Sequence, residues 1–145
     1  MNLSKHVTVA EFIKSDTAIR HGINNDMNAT QTQKAIELCE NVFEPLRAFL
    51  NKPITISSGF RGAGINKRIG GSTTSQHCKG EAMDLKIGLD GFNFIKDNLE
   101  WDQMIFEFGT DTAPDWVHVS YNKGKNRKQV LRAKKINGKT IYTNY

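Results

Sequence analysis

Apolar residues recur at steps of three and four in one long stretch of this chain and at steps of two in several short ones, and the contrast predicts its elements. Ala35, Leu38, Cys39, Val42, Phe43, Leu46 and Phe49 form one stripe of a helix. Thr30 with Gln33 would open it as a capping box, and Pro45 would kink or divide it. Thr8-Val9-Ala10-Glu11 is a second capping box and should start a short helix through Lys14. Alternation then predicts strands at Ile54-Thr55-Ile56-Ser57, at 82–87, at 103–108 and at 116–121. Met83, Leu85 and Ile87 face inward on the second of these, Met104, Phe106 and Phe108 on the third, and Val117, Val119 and Tyr121 on the fourth. Asp90-Gly91 would cap a helix from Phe92 to Leu99. Asn137-Gly138, set between Ile136 and Thr140-Ile141-Tyr142, is a strong two-residue hairpin signal. Short strands with helices mostly ahead of them predict an α+β fold: a small antiparallel sheet with N-terminal helices, closed by a C-terminal hairpin.

Composition narrows this without changing it. At 145 residues, 38% hydrophobic and 24% charged, the chain reads as a single globular domain over residues 1–145. No apolar run is long enough to span a membrane. The N-terminus lacks the apolar core of a secretory signal, so the protein is expected in the cytoplasm of its producing cell until it is released. Two cysteines, Cys39 and Cys78, make no disulfide framework and fit a reducing compartment. The net charge of +5 resides at one end. Residues 122–145 hold eight basic side chains and no acidic one, leaving 12 basic against 15 acidic in the first 121. Such a hairpin could bind an anionic polymer, or its lysines could simply keep an edge strand from pairing. A nucleic-acid function rests on the tail alone and is not favoured. The glycines at 62, 64, 70 and 71 lie beside basic residues but lack the spacing of a phosphate loop.

The chemistry gathers around Ser75-Gln76-His77-Cys78-Lys79-Gly80-Glu81-Ala82-Met83-Asp84. Asp84 lies on the polar side of its strand, and the loop through Gly80 can fold His77 back toward it. The best third partner is His118, which shares its strand face with Trp116 and Ser120. Two neutral imidazoles and one carboxylate, with a fourth position open, suit one catalytic zinc ion per chain. His6 and His21 have no carboxylate at ligand spacing and read as surface residues. Cys78 adjoins His77 but is expected to point away.

Ser-x-His, then Asp, then a distant Trp-x-His resembles the family of zinc D-Ala-D-Ala carboxypeptidases and L-alanyl-D-glutamate peptidases, whose fold is shared with the hedgehog signalling domain. Ser57-Ser58-Gly59-Phe60-Arg61 and the turn from Asn66 to Gly71 are similar to that family's segments before the first ligand. Glu11-Phe12, Ser15-Asp16-Thr17-Ala18 and Pro45-Leu46-Arg47 resemble the lead-in of its phage branch. The resemblance implies a zinc peptidase acting on peptidoglycan peptides, as an endolysin or a carboxypeptidase-like enzyme, with release or virion association as its route to the wall. It implies ligands His77, Asp84 and His118, and a general base three residues before the last histidine, Asp115. Glu107 is the alternative base. Arg61 would hold a substrate carboxylate or the oxyanion, with Ser75 and Trp116 in the substrate site. A monomer is expected. The competing reading is a non-catalytic wall-binding or virion structural module with the same fold.

Overall fold

The computed structural model describes residues 1–72 and 74–145. A two-stranded ribbon, β1 (Asn2–Ser4) with β2 (Val7–Thr8), leads into α1 (Val9–Ile13) and α2 (Asp16–His21). The ribbon was not legible in advance, because two- and three-residue strands carry no periodicity. Thr8 caps α1 by accepting from Glu11 N, as expected. The long helix opens at Asn28 rather than Thr30: Asn28 Oδ1 accepts from Gln31 N at 2.8 Å and Gln31 Oε1 from Asn28 N at 2.9 Å. The chain offers two such capping signals two residues apart, and the first one wins. This helix, α3 (Ala29–Leu38), passes through one π-helical turn at Cys39–Phe43 into α4 (Glu44–Leu50), where Pro45 sits in the first turn. The extra residue in the π turn accommodates the proline without losing the apolar stripe.

Then come β3 (Ile56–Ser58), α5 (Ala63–Arg68), a short 3₁₀ turn (Gln76–Lys79), β4 (Ala82–Leu85), α6 (Leu89–Asn98), β5 (Gln103–Glu107), β6 (Trp116–Ser120), β7 (Gln129–Ile136) and β8 (Lys139–Asn144). Gly88, not Asp90, stands at the start of α6; Asp90 lies inside the first turn and accepts from Gly91 N. Phe108, expected on the core side, leaves the strand pattern at φ 57, is only half-buried and meets the Trp116 ring edge-to-face at 5.3 Å.

The six main strands form one sheet in the order β3-β4-β6-β5-β7-β8, antiparallel at every pairing except β5 with β7. That parallel pair arises because the chain, on leaving β6, crosses the start of β5 and runs up its far side. The basic hairpin is therefore part of the sheet. Its Asn137-Gly138 turn has φ 52 and 76, the left-handed pair that a two-residue turn requires.

Helices α3, α4 and α6 cover one sheet face. Leu38, Val42, Phe43, Leu46, Phe92 and Ile95 pack there against Met83, Leu85, Met104, Phe106, Val117 and Val119, all essentially without exposure. The opposite face carries the alternate residues of the same strands, and register places them in two rows. Asp84, His118, Ile105 and Leu131 lie side by side across β4, β6, β5 and β7. Trp116, Glu107, Ala133 and Tyr142 lie side by side across β6, β5, β7 and β8.

Candidate metal centre

His77 sits in the 3₁₀ turn, which Ser75 Oγ caps by accepting from His77 N at 3.2 Å. The turn ends at Gly80, φ 77, where a Cβ would lie 2.5 Å from Gln31 O, so the chain reverses there only with glycine. His77 Nδ1 donates to Gly59 O at 2.7 Å, which leaves the Nε2 lone pair facing Asp84 Oδ1 at 3.3 Å. Gly59 has its own constraint: a Cβ on it would lie 2.2 Å from Phe12 O, so α1 and the carbonyl behind His77 approach more closely than any side chain permits.

His118 enters from β6. Its Nδ1 is 3.2 Å from Asp84 Oδ1, and its Nε2 is 3.0 Å from Gln76 Oε1. Gln76 Nε2 donates to Asp102 Oδ2 at 2.8 Å, so the oxygen of that amide faces His118 and accepts from its Nε2–H. The two imidazoles thus present Nε2 of His77 and Nδ1 of His118 to one carboxylate, all within 4.8 Å of one another. Both outward ring nitrogens are held by acceptors, the arrangement that fixes the tautomers of metal-ligating histidines. Burial alone would raise the Asp84 carboxyl. When the two histidines are protonated, the His77 charge and the hydrogen bonds from His118 and His77 outweigh it and hold the group well below the usual range; with both rings neutral the same place is open to a cation. Three donors of this kind with one side open fit zinc. Among the described residues no other such group of histidine, cysteine and carboxylate side chains converges, and Cys78 is not part of this one. His6 Nδ1 pairs with Glu44 at 2.6 Å, and His21 is exposed at the end of α2.

These three side chains lie in a cleft of about 810 Å³ that Arg61, Ser75, Gln76, Glu107, Trp116 and Tyr142 help to line. Glu107 Oε2 accepts from Trp116 Nε1 at 2.6 Å. Burial, with the negative charge of Asp84 added, pushes the Glu107 carboxyl up to about 7 against the opposing pull of His118, Trp116 and Arg61. Arg61 is delivered by the loop after β3, and its backbone N–H donates to His77 O at 3.2 Å. Its Nε is buried with no hydrogen-bond partner among the described residues.

Asp115 stands elsewhere. For it to share a face with His118, the residues after Pro114 would have to bulge. The β5–β6 ladder is regular instead: Glu107 pairs with Trp116, and Asp115 N donates to Glu107 O at 2.9 Å. Asp115 is therefore exposed on the far side of the strand and does not line the cleft. Gln76, Asp102, Arg127 and Tyr142 also reach the site, and none of them was singled out in the sequence. Gln76 had a signal, since it separates Ser75 from His77. The other three are brought in only by sheet order.

A family model described as Peptidase M15 matches residues 5–120, a span that includes His77, Asp84 and His118. The zinc D-Ala-D-Ala carboxypeptidase of Streptomyces albus G is 45% identical over 42 residues, which are 29% of this chain and 16% of that protein.

Proposed function

Because the chain belongs to the peptidase M15 family, we propose that it hydrolyses peptide bonds in the stem or cross-bridge peptides of bacterial peptidoglycan, using one zinc ion. The observation that carries this reading is the convergence of His77 Nε2, His118 Nδ1 and Asp84 Oδ1 in a cleft that also holds a carboxyl with a pKa of about 7 and a buried arginine nitrogen with no partner among the described residues. The name of the Streptomyces relative supports the substrate class.

When bound, zinc supplies a Lewis acid that polarises the scissile carbonyl and acidifies water. The chain supplies the rest. Glu107 is the general base: Trp116 occupies its Oε2, leaving Oε1 to take a proton from the attacking water and return it to the leaving amine nitrogen. A pKa near neutrality suits both transfers. Asp115 takes no part. Arg61 donates to a substrate carboxylate or to the carbonyl oxygen as charge develops there. Trp116 and Ser75 line the cleft and orient the peptide. A lytic phage setting, with release at the end of infection, is the finer reading and rests on the resemblance of the lead-in segments.

Incubation of the purified protein with peptidoglycan, with and without a chelator, followed by mass analysis of released fragments, tests the proposal. Chelator-sensitive release of peptides is expected. Binding to the wall with no released fragment would instead identify a non-catalytic wall module.

A further inference from the structure

His118 is held from behind by Gln76, and the hydrogen bonds run on through Asp102 to Arg127 in the segment after β6. Asp102, at the start of β5, is 4% exposed. Its carboxylate accepts from Arg127 N at 2.9 Å and Nε at 3.0 Å on Oδ1, and from Arg127 Nη2 at 3.1 Å and Gln76 Nε2 at 2.8 Å on Oδ2. Its backbone is pinned as well, with N donating to Ser120 O and O accepting from Gln129 N. An ionised carboxylate offers only acceptors. The Gln76 amide must then turn its nitrogen toward Asp102 and its oxygen toward His118. That oxygen can only accept, so the neutral His118 ring must carry its proton on Nε2 and its lone pair on Nδ1. Without this direction the opposite tautomer is available, in which Nδ1–H donates to Asp84 and the ligand atom is lost to the metal.

We infer that Gln76, Asp102 and Arg127 are a positioning relay that sets the tautomer of His118, so that the segment beyond the family match is a working part of the metal site. The inference rests on the reading of His118 as a metal ligand. Arg127 makes a two-point fork on Asp102 that lysine cannot reproduce. Its side chain is 56% exposed, so the ion pair by itself contributes little to folding. What it contributes is the direction of the next hydrogen bond.

The test is zinc affinity, by competition with a chromophoric chelator, in the full-length chain. Gln76→Met keeps the bulk and removes both hydrogen bonds, and should weaken zinc binding about 10- to 100-fold, the usual scale for the outer partners of ligating histidines. Arg127→Ala should weaken it about 3- to 10-fold, with Arg127→Lys recovering only part. In the Gln76→Met background, Arg127→Ala should cost nothing further, because the relay is already cut. A merely structural arginine would cost the same in both backgrounds. Nitrogen-15 spectra of the metal-free protein with its imidazoles neutral should show His118 protonated at Nε2 in the wild type and a mixture in Gln76→Met. Unchanged affinity in Gln76→Met, additive losses in the double variant, or a wild-type His118 protonated at Nδ1 would each overturn the relay. If Gln76→Met failed to fold, the comparison of Arg127→Ala with Arg127→Lys and the wild-type spectrum would decide it. A wild type that takes up no zinc would sink the proposed function, while the spectra would still judge the relay.

Discussion

Glu107 and Asp115 occupy the same end of the β5–β6 ladder and are joined by a backbone hydrogen bond of 2.9 Å, yet they belong to different environments. Glu107 is 8% exposed and lies in the cleft with His118, Trp116 and Arg61. Asp115 is exposed, and its carbonyl accepts from Lys86 Nζ at 3.1 Å on the outer side. Alternation along β6 is the cause. Trp116 and His118 share a face, and the residue one position before Trp116 must leave it. Spacing from a histidine in the sequence therefore says little about which side chains share its face when the intervening residues form a regular strand, while position across the ladder does.

The sharpest way to break this comparison is a pair of isosteric amides. We predict that Glu107→Gln keeps its zinc and its fold while turnover falls roughly 10²–10⁴-fold, the scale of a positioned general base, and that Asp115→Asn stays within about 3-fold of the wild type, since an exposed group away from the cleft contributes nothing to that step. Turnover and zinc content measured together decide it. Equal losses in the two variants would erase the distinction drawn here.

A smaller effect should show in stability. The folded pKa of Glu107, about 7, lies above its ordinary 4.5, so the fold favours the neutral acid. Its contribution is fully present below pH 4.5 and is lost as pH rises through 7. In the metal-free protein, Glu107→Gln removes that loss. The variant should gain on the wild type between those pH values by about 1–3 kcal/mol, discounted for partial exposure. Denaturant midpoints on either side of the window check this.

Trp116 sharpens the comparison further. Its indole N–H lowers the Glu107 pKa, so Trp116→Phe should move the ionisation of Glu107 upward by about one to two units, the worth of a hydrogen bond to an ionised carboxylate. A pH titration of the metal-free protein by carboxyl carbon-13 shifts would record it. An unchanged or lowered value would mean that the indole does not act on that carboxylate.

The weakest effect belongs to the tail. Arg127 and Arg132 are engaged within the fold, the latter donating to Phe106 O and Ala133 O. Lys134, Lys135 and Lys139 are exposed on β7 and β8. Reversing these three charges should weaken sedimentation with purified walls at low salt more than at high salt, because exposed charges are screened over about 10 Å at 0.1 M. Turnover of a small soluble peptide should hardly change. Equal loss on both substrates would show that the hairpin acts through the cleft.

The sequence by itself determined what each strand could offer. Alternation in 82–87 and 116–121 assigned Met83, Leu85, Val117 and Val119 to the core and left Asp84 and His118 on the other face, because a strand has a period of two whatever lies beside it. The apolar stripe from Ala35 to Leu46 was legible for the same reason, through the helical period. The tertiary structure decided which of these faces meet. Sheet order set Glu107 rather than Asp115 beside His118, and a parallel β5–β7 pair carried the crossing segment past Asp102. That crossing put Arg127 one hydrogen bond from a carboxylate 25 positions earlier in the chain. Register and strand order follow from packing and loop closure across the whole domain, and neither leaves a local trace in the residues it brings together.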